Sequence, residues 1–182
     1  MDIGKTLYVT KRAEWRSWLR SNHRIESGIW LIYYKKHSGK PRIPYDDAVE
    51  EALCYGWIDS IVKRVDDERT AQRFSPRRPK SFLSETNKER VRRLIKAKRM
   101  TRHGLAAIEK QLNEEFIFAP DILKKLRTDV VTWKNFRSFP ESYQRIRVGW
   151  IDAARRRPEI FAQRLRYFLK MTAQNKKFGM VQ

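Results

Sequence analysis

Hydrophobic positions in the first half of the chain follow two different periods. Trp15, Trp18 and Leu19 fall on one face at a helical spacing of about 3.6 residues, whereas the stretch IWLIYYKK that follows is apolar at odd and even positions alike. The first pattern predicts an amphipathic helix, and the second predicts a central strand covered on both faces. A short strand at residues 6–9 precedes the helix, and Thr10 is the predicted N-cap.

A second helix and a hairpin follow. The segment DDAVEEALCYGW has the apolar stripe of a buried helix, and Asp46 and Asp47 are placed to cap its first turn. Residues 61–65 and 69–74 alternate between apolar and polar side chains on either side of three acidic residues. Alternation around a polar turn predicts two antiparallel strands.

Helical spacing dominates the second half of the chain. Thr86 and Glu89 have capping-box spacing ahead of a helix that ends near Arg99, and the apolar positions from Leu105 to Leu112 predict another helix. Because proline is favoured in the first turn of a helix, further helices are expected to begin at the prolines of this half. These are Pro120, Pro140 and Pro158.

Together these elements predict an α+β fold. We expect a small, largely antiparallel sheet flanked by helices in the N-terminal half, and a mainly helical C-terminal half. Residues 1–100 form the predicted α+β core, which contains most of a basic segment at 76–103, and residues 101–182 form a helical region packed on it. The whole chain is expected to act as a single structural unit.

Net charge is the feature of the composition that indicates what kind of partner this fold would bind. Lys and Arg number 41 against 21 Asp and Glu, which gives a net charge of +20. The excess lies in two segments: residues 76–103 hold 11 basic and two acidic side chains, and residues 120–182 hold 15 basic and five acidic ones. Such a field attracts polyanions, so we expect a negatively charged partner.

The cysteine, histidine and hydropathy patterns exclude several classes of protein. A single cysteine excludes an internal disulfide framework, and three dispersed histidines lack the usual spacing of zinc or iron ligands, so neither a metal nor a cofactor is expected. No apolar stretch approaches the roughly 20 residues needed to span a bilayer, and the amino terminus lacks the apolar core of a signal peptide. The sequence therefore predicts a cytoplasmic protein.

Three motifs stand out. The run ALCYGWIDS is followed by RFSPRRPKS and then by the pair Asn87-Lys88. In this order, after a GIWLIYYKK strand, the motifs resemble the bacteriocin-protection or YdeI/OmpD-associated family. The resemblance covers most of the chain, strongly from Trp15 to Met100 and more loosely from Trp133 to Leu169. It implies a stress or bacteriocin-protection role and implies no reaction.

Basic side chains near a helix start favour anions, because helix amides and guanidinium groups attract negative charge. The predicted anion-binding residues are Arg73, Arg77, Arg78, Lys80, Ser81, Asn87 and Lys88. The predicted secondary basic surface is Arg155, Arg156, Arg157 and Arg164, with Arg166, Lys170, Lys176 and Lys177 beside them. The alternative is that these charges are solvated or pair with the acidic residues of the first half.

The leading functional hypothesis is a non-catalytic anion or polyanion binder. No helix-turn-helix, zinc-finger or RNP motif is visible, so DNA or RNA would be bound without sequence specificity. The rival hypothesis is an enzyme that acts on a small phosphorylated or carboxylated metabolite with Asp59 or Cys54. A nucleophilic cysteine needs a lowered pKa, and the structural alternative for Asp59 is an ion pair with Arg73 or Arg77. Contact of a basic amphipathic helix with an anionic membrane ranks third.

Overall fold

The computed structural model describes residues 3–79 and 81–179. Four strands and nine helices occur among these residues, with a short 3₁₀ turn at Lys36–Ser38. The strands are β1 (Thr6–Leu7), β2 (Ile29–Tyr34), β3 (Trp57–Arg64) and β4 (Arg69–Pro76). The helices are α1 (Arg12–Asn22), α2 (Tyr45–Cys54), α3 (Glu85–Lys96), α4 (Arg102–Ala106), α5 (Glu109–Leu112), α6 (Pro120–Leu126), α7 (Val130–Ser138), α8 (Glu141–Asp152) and α9 (Pro158–Ala173).

The strands form one sheet in the order β1-β2-β4-β3. Strand β1 pairs with β2 in parallel, and the other two pairings are antiparallel, so the prediction of a small, largely antiparallel sheet with a helical second half is confirmed. Strand β2 is central, and its first five residues are buried, as the two-sided apolar run predicts. The hairpin of β3 and β4 is confirmed too, with a register shift between Asp59 and Val62.

The N-cap predicted for the first helix was wrong. The residue before α1 is Lys11, not Thr10. The carboxylate of Glu14 reaches back and accepts hydrogen bonds from the backbone N–H groups of Thr10 and Lys11, at 2.8 and 3.2 Å. Glu14 therefore pairs the backbone N–H groups at the entrance of the helix, as the glutamate of a capping box does.

The caps predicted for the next two helices were also displaced. Asp46 and Asp47 lie inside the first turn of α2, after Pro44. Helix α3 begins one residue before Thr86, where Ser84 Oγ accepts a hydrogen bond from the backbone N–H of Asn87 at 3.3 Å. Carboxylates in a first turn still stabilise the helix, because they face the positive end of its dipole.

Contacts within the chain divide it into two compact units that alternate along the sequence. The first unit comprises Met1–Phe82 and Arg90–Leu112, and the second comprises Leu83–Glu89 and Asn113–Gln182. The first unit contains the sheet, and Trp15, Trp57 and Phe74 are fully buried in its core. The core of the second unit is formed by Ile122, Leu126, Phe136, Phe139, Tyr143, Val148, Ile151 and Phe168. The expectation that the whole chain acts as one structural unit stays a prediction.

Helix α4 begins against the end of α2. The hydroxyl of Thr101 accepts a hydrogen bond from the backbone N–H of Gly104 at 3.0 Å and donates one to the carbonyl oxygen of Cys54 at 2.6 Å. Gly104 itself lies so close that an added Cβ would stand 2.1 Å from the same carbonyl oxygen. Glycine is therefore required for this backbone contact.

Candidate anion-binding surfaces

The arginines of the RFSPRR motif occupy different environments. Arg73 lies in β4 opposite Trp30 and is half-buried. Arg77 follows the end of β4 and is only 9 % exposed, and its Nη2 donates hydrogen bonds to the carbonyl oxygens of Ser81 and Phe82, both at 3.0 Å. Burial lowers the pKa of the Arg77 guanidinium. Arg77 thus holds the loop that follows β4, instead of presenting its charge at the surface.

The rest of this loop is more accessible. Arg78 is exposed, and its backbone N–H donates to Ser81 Oγ at 3.1 Å. Lys80, the fourth predicted cation of the segment, lies outside the described residues. Among the described cations of the RFSPRR motif, Arg73 in β4 and Arg78 in the loop therefore keep access to solvent.

Asn87 and Lys88 belong to the second unit. Lys88 is 6 % exposed; its Nζ forms an ion pair with Glu85 at 2.9 Å and donates to the carbonyl oxygen of Glu114 at 3.2 Å. These contacts neutralise the charge of Lys88 inside the unit. Convergence of the seven predicted residues on one anion stays a prediction.

Arginines downstream of this segment pair with the acidic face of α2. Arg90 forms an ion pair with Asp46, and Arg93 pairs with Glu50 at 3.6 Å. Part of the charge excess that the sequence shows in residues 76–103 is therefore balanced inside the first unit. The alternative reading, in which basic residues pair with the acids of the first half, accounts for these arginines.

Glu51 is the centre of this ion-pair network. The residue is fully buried, and its carboxylate is held by three arginines. Nε of Arg12 lies at 2.5 Å, Nη1 of Arg16 at 2.6 Å and Nη2 of Arg99 at 2.5 Å. A buried carboxylate is stable only when its oxygens are paired, and three guanidinium groups meet that need.

The thiol of Cys54 is in a poor environment for a nucleophile. Cys54 is fully buried at the end of α2. Burial, and after it the negative charge of Glu51, raises the pKa of the Cys54 thiol to about 11. At neutral pH the side chain is therefore a protonated core residue.

We expect Cys54 to react slowly with Ellman's reagent. With a pKa of about 11, roughly one thiol in a thousand is ionised at pH 8, compared with about a quarter of ordinary cysteines. The native protein should react at least about 100-fold more slowly than the same protein unfolded in urea, and the rate should rise with pH well above pH 8. Reaction of the native protein at the rate of the unfolded chain would contradict a buried, protonated thiol.

Asp59 is held by neutral donors. Its Oδ2 accepts hydrogen bonds from the hydroxyl of Tyr45 at 2.7 Å and from Nε2 of Gln72 at 3.3 Å. Within residues 3–79 and 81–179 no arginine lies within ion-pair distance of Asp59, so the expected pair with Arg73 or Arg77 was wrong. Asp59 stands opposite Phe74 in the strand register, and its carboxylate is occupied by Gln72 of β4 and by Tyr45 at the start of α2.

Two members of the secondary basic surface are engaged internally. Arg155 makes two contacts with Asp121, at 2.7 and 3.1 Å, and one with Asp152 at 2.5 Å. Arg164 donates from Nη1 to the carbonyl oxygen of Trp150 at 2.6 Å and lies over the same indole ring, 4.4 Å from its centroid. Both side chains thus stabilise the second unit.

The remaining cations near the carboxyl end are exposed and lack ion pairs. We call them the carboxyl-terminal cations: Arg156, Arg157, Arg166, Lys170, Lys176 and Lys177. None has a carboxylate within 4 Å in the part of the chain that the structure describes. Arg166 and Lys170 are four residues apart on α9, so they share one exposed stripe of the helix. Arg166, Lys170, Lys176 and Lys177 belong to the basic surface that the sequence predicts at this end of the chain, and the structure leaves them exposed.

Other kinds of site receive no support from the described residues. Between residues 3 and 179, Lys80 excepted, no three His, Cys, Asp or Glu side chains are grouped so that they would hold a metal ion. No helix in the same ranges is both long enough and apolar enough to cross a bilayer.

Comparison with known proteins identifies two families. Residues 7–107 match the family described as Domain of unknown function (DUF8412), and residues 115–175 match the family described as Bacteriocin-protection, YdeI or OmpD-Associated. The second match confirms the resemblance that the sequence motifs suggested, and it lies where those motifs are looser. No curated protein and no solved structure matches the chain significantly.

Proposed function

We propose that this chain, which belongs to the DUF8412 family through residues 7–107 and carries a YdeI/OmpD-associated domain at residues 115–175, is a non-catalytic binder of polyanions. Nucleic acid is the polyanion that fits best, bound without sequence specificity through the carboxyl-terminal cations. The observation that carries the proposal is the set of six exposed cations between residues 156 and 177 that lack ion-pair partners among the described side chains.

Unpaired surface cations are suited to a phosphate backbone. A cation already paired with a carboxylate gains little from a phosphate, whereas an unpaired one releases the counterions that surround nucleic acid. Residues 153–179 contain these six cations together with Arg155 and Arg164. Glu159 is the single acidic residue in the same range. The local field is therefore strongly positive and weakly opposed.

The same reasoning shifts the proposed contact surface from residues 73–88 to the carboxyl-terminal cations. Arg77 and Lys88 are buried in internal contacts, and Arg90 and Arg93 are paired with acids of α2. Arg73 and Arg78 can still contribute to binding as accessible cations. The stress-related role implied by the family resemblance and the cytoplasmic location expected from the sequence are kept as parts of this proposal.

The enzymatic alternative has weaker support. It required Cys54 or Asp59 to do chemistry on a small anionic metabolite. The Cys54 thiol is buried with a raised pKa, and Asp59 already accepts two hydrogen bonds from neutral donors. Neither arrangement provides an activated nucleophile.

Fluorescence anisotropy with labelled duplex DNA, single-stranded DNA and RNA tests the proposal. Binding should be evident near about 50 mM salt and weaken log-linearly as salt increases. The double variant Arg166→Gln/Lys170→Gln should reduce the salt slope on duplex DNA by about 1.8, because each lost phosphate contact removes about 0.9.

The matched control is Lys36→Gln/Lys110→Gln, which removes the same charge from two exposed positions of the first unit. Its slope should stay close to that of the wild type. Equal slopes for the two double variants, or no binding near about 50 mM salt, would remove the carboxyl-terminal cations from the proposal.

A further inference from the structure

A cavity of about 260 Å³ lies on one face of the sheet in the first unit. Tyr33 of β2, Val62 of β3, and Thr70 and Gln72 of β4 contribute to its walls. Tyr33 is opposite Thr70 and Gln72 is opposite Val62 in the strand register, so these four side chains share a face. The segment that leads into α2 provides the rest of the lining, through Arg42, Pro44 and Tyr45.

Tyr33 has a polar atom that the protein leaves unpaired. The residue is only 7 % exposed, and its hydroxyl has no hydrogen-bond partner among residues 3–79 and 81–179. Buried hydroxyl groups are nearly always paired, because an unpaired one destabilises the folded state. Burial, and after it the nearby charge of Asp59, raises the Tyr33 pKa, so the group stays a neutral hydrogen-bond donor despite the opposing charge of Arg42.

The polar wall beside Tyr33 is already organised. Tyr45 and Gln72 both donate to Oδ2 of Asp59, and Gln72 Nε2 also donates to the carbonyl oxygen of Ser60 at 3.1 Å. These bonds fix the phenol ring of Tyr45 and the amide of Gln72 before any ligand arrives. Fixed polar groups beside apolar surfaces are typical of small-molecule sites.

Arg42 gives the cavity a positive charge. Its guanidinium group donates one hydrogen bond, from Nη1 to the carbonyl oxygen of Tyr34 at 3.2 Å. No carboxylate comes within ion-pair distance of Arg42 in the described part of the chain. The other guanidinium nitrogens therefore remain available to an anion, for which their planar arrangement is suited.

We infer that this cavity binds a small aromatic carboxylate. The carboxylate group of the ligand contacts Arg42, and its flat ring lies among Tyr33, Tyr45 and Val62. A second polar atom of the ligand accepts a hydrogen bond from the Tyr33 hydroxyl. Aromatic and apolar walls favour a flat ring, and the volume limits the ligand to the size of a small metabolite. This site is separate from the carboxyl-terminal cations and does not depend on polyanion binding.

Calorimetric titration with 4-hydroxybenzoate, and with 4-hydroxybenzamide as its neutral counterpart, tests the inference. The wild type should bind the acid at least about tenfold more tightly than the amide, and Arg42→Gln should abolish this preference. Tyr33→Phe should weaken binding of the acid about tenfold. The control Tyr167→Phe removes an exposed phenol hydroxyl of the second unit, one that does not line this cavity, and should leave the affinity unchanged.

Thermal unfolding of the ligand-free variants separates loss of binding from loss of folding. Because the Tyr33 hydroxyl is unpaired, Tyr33→Phe should melt at or above the temperature of the wild type while it binds the acid more weakly. The inference is overturned if the wild type gives no heat of binding with about 10 mM 4-hydroxybenzoate. It is overturned equally if Arg42→Gln and Tyr33→Phe both bind the acid as well as the wild type does.

Discussion

Replacing Glu51 with alanine is expected to lower the free energy of unfolding by about 3 kcal/mol or more, because three arginines lose a buried partner. The carboxylate is fully buried, whereas the guanidinium groups of Arg12 and Arg16 are partly exposed. Water can therefore recover part of the loss, which places the effect at the lower end of the range for buried pairs. Urea unfolding of the wild type and Glu51→Ala at pH 7 measures it.

Glu68→Ala is the matched control for this prediction. Glu68 pairs with Lys40 at 3.5 Å, and both side chains are about half exposed. Exposed pairs of this kind contribute about 0–1 kcal/mol, so the control should unfold close to the wild type. If the two alanine variants are equally stable, the Glu51 cluster does not stabilise the fold as the geometry indicates.

Gly104→Ala is expected to destabilise the protein by about 3 kcal/mol, although alanine is the better helix former. The added Cβ would stand 2.1 Å from the carbonyl oxygen of Cys54 and 2.6 Å from its carbonyl carbon, so the ends of α2 and α4 must separate. For a chain of this size the melting temperature should fall by roughly 6–12 °C in a thermal unfolding experiment.

The control for Gly104 lies in the same short helix. Ala106 is exposed at the last position of α4, and Ala106→Gly lowers helix propensity by at most about 1 kcal/mol without introducing an atom. If propensity alone governed α4, Gly104→Ala would stabilise the protein and Ala106→Gly would destabilise it. The close backbone contact predicts instead that both variants are less stable, with Gly104→Ala the more affected.

The regular elements of the fold are those that the sequence predicts best. The two-sided apolar run of β2 and the alternation across the β3–β4 turn are patterns of local hydrophobic periodicity. Such patterns can be read without knowledge of the neighbouring elements in the fold. The prolines also mark helix starts correctly: α6 and α9 begin at Pro120 and Pro158, and α8 begins directly after Pro140.

Helix boundaries were predicted less well, because a side chain that could cap a helix can instead form an ion pair or hydrogen bond elsewhere in the fold. Asp46 and Asp47 look like caps in the sequence, but in the fold they pair with Arg90 and Arg12. The apolar spacing from Leu105 to Leu112 fits one helix, and it does not reveal the break between α4 and α5. Helix α7 was not predicted, although Asp129, whose side chain accepts from Thr132 N–H at 2.6 Å, is a recognisable N-cap.

The sequence predicts charge better than it predicts which charges are accessible. Arg77 stands in a PRRP run that is typical of a surface, and only its contacts in the fold, such as the hydrogen bond to the carbonyl oxygen of Ser81, show that it is buried. Arg42 and Tyr33 were missed for a similar reason. They are nine residues apart with no motif between them, and the sheet register brings Gln72 and Val62 to the same cavity.

The alternating units have a consequence for how the protein is made on the ribosome. Arg16 of α1 donates from Nη2 to the carbonyl oxygen of Arg99 at 3.0 Å, a contact between residues 83 positions apart. The first unit is therefore incomplete until residues 90–112 have left the exit tunnel, and by then 83–89, which belong to the second unit, have already emerged. During synthesis the core of the first unit is therefore exposed while it is still incomplete. Contacts between residues this distant in sequence also slow the folding of that unit.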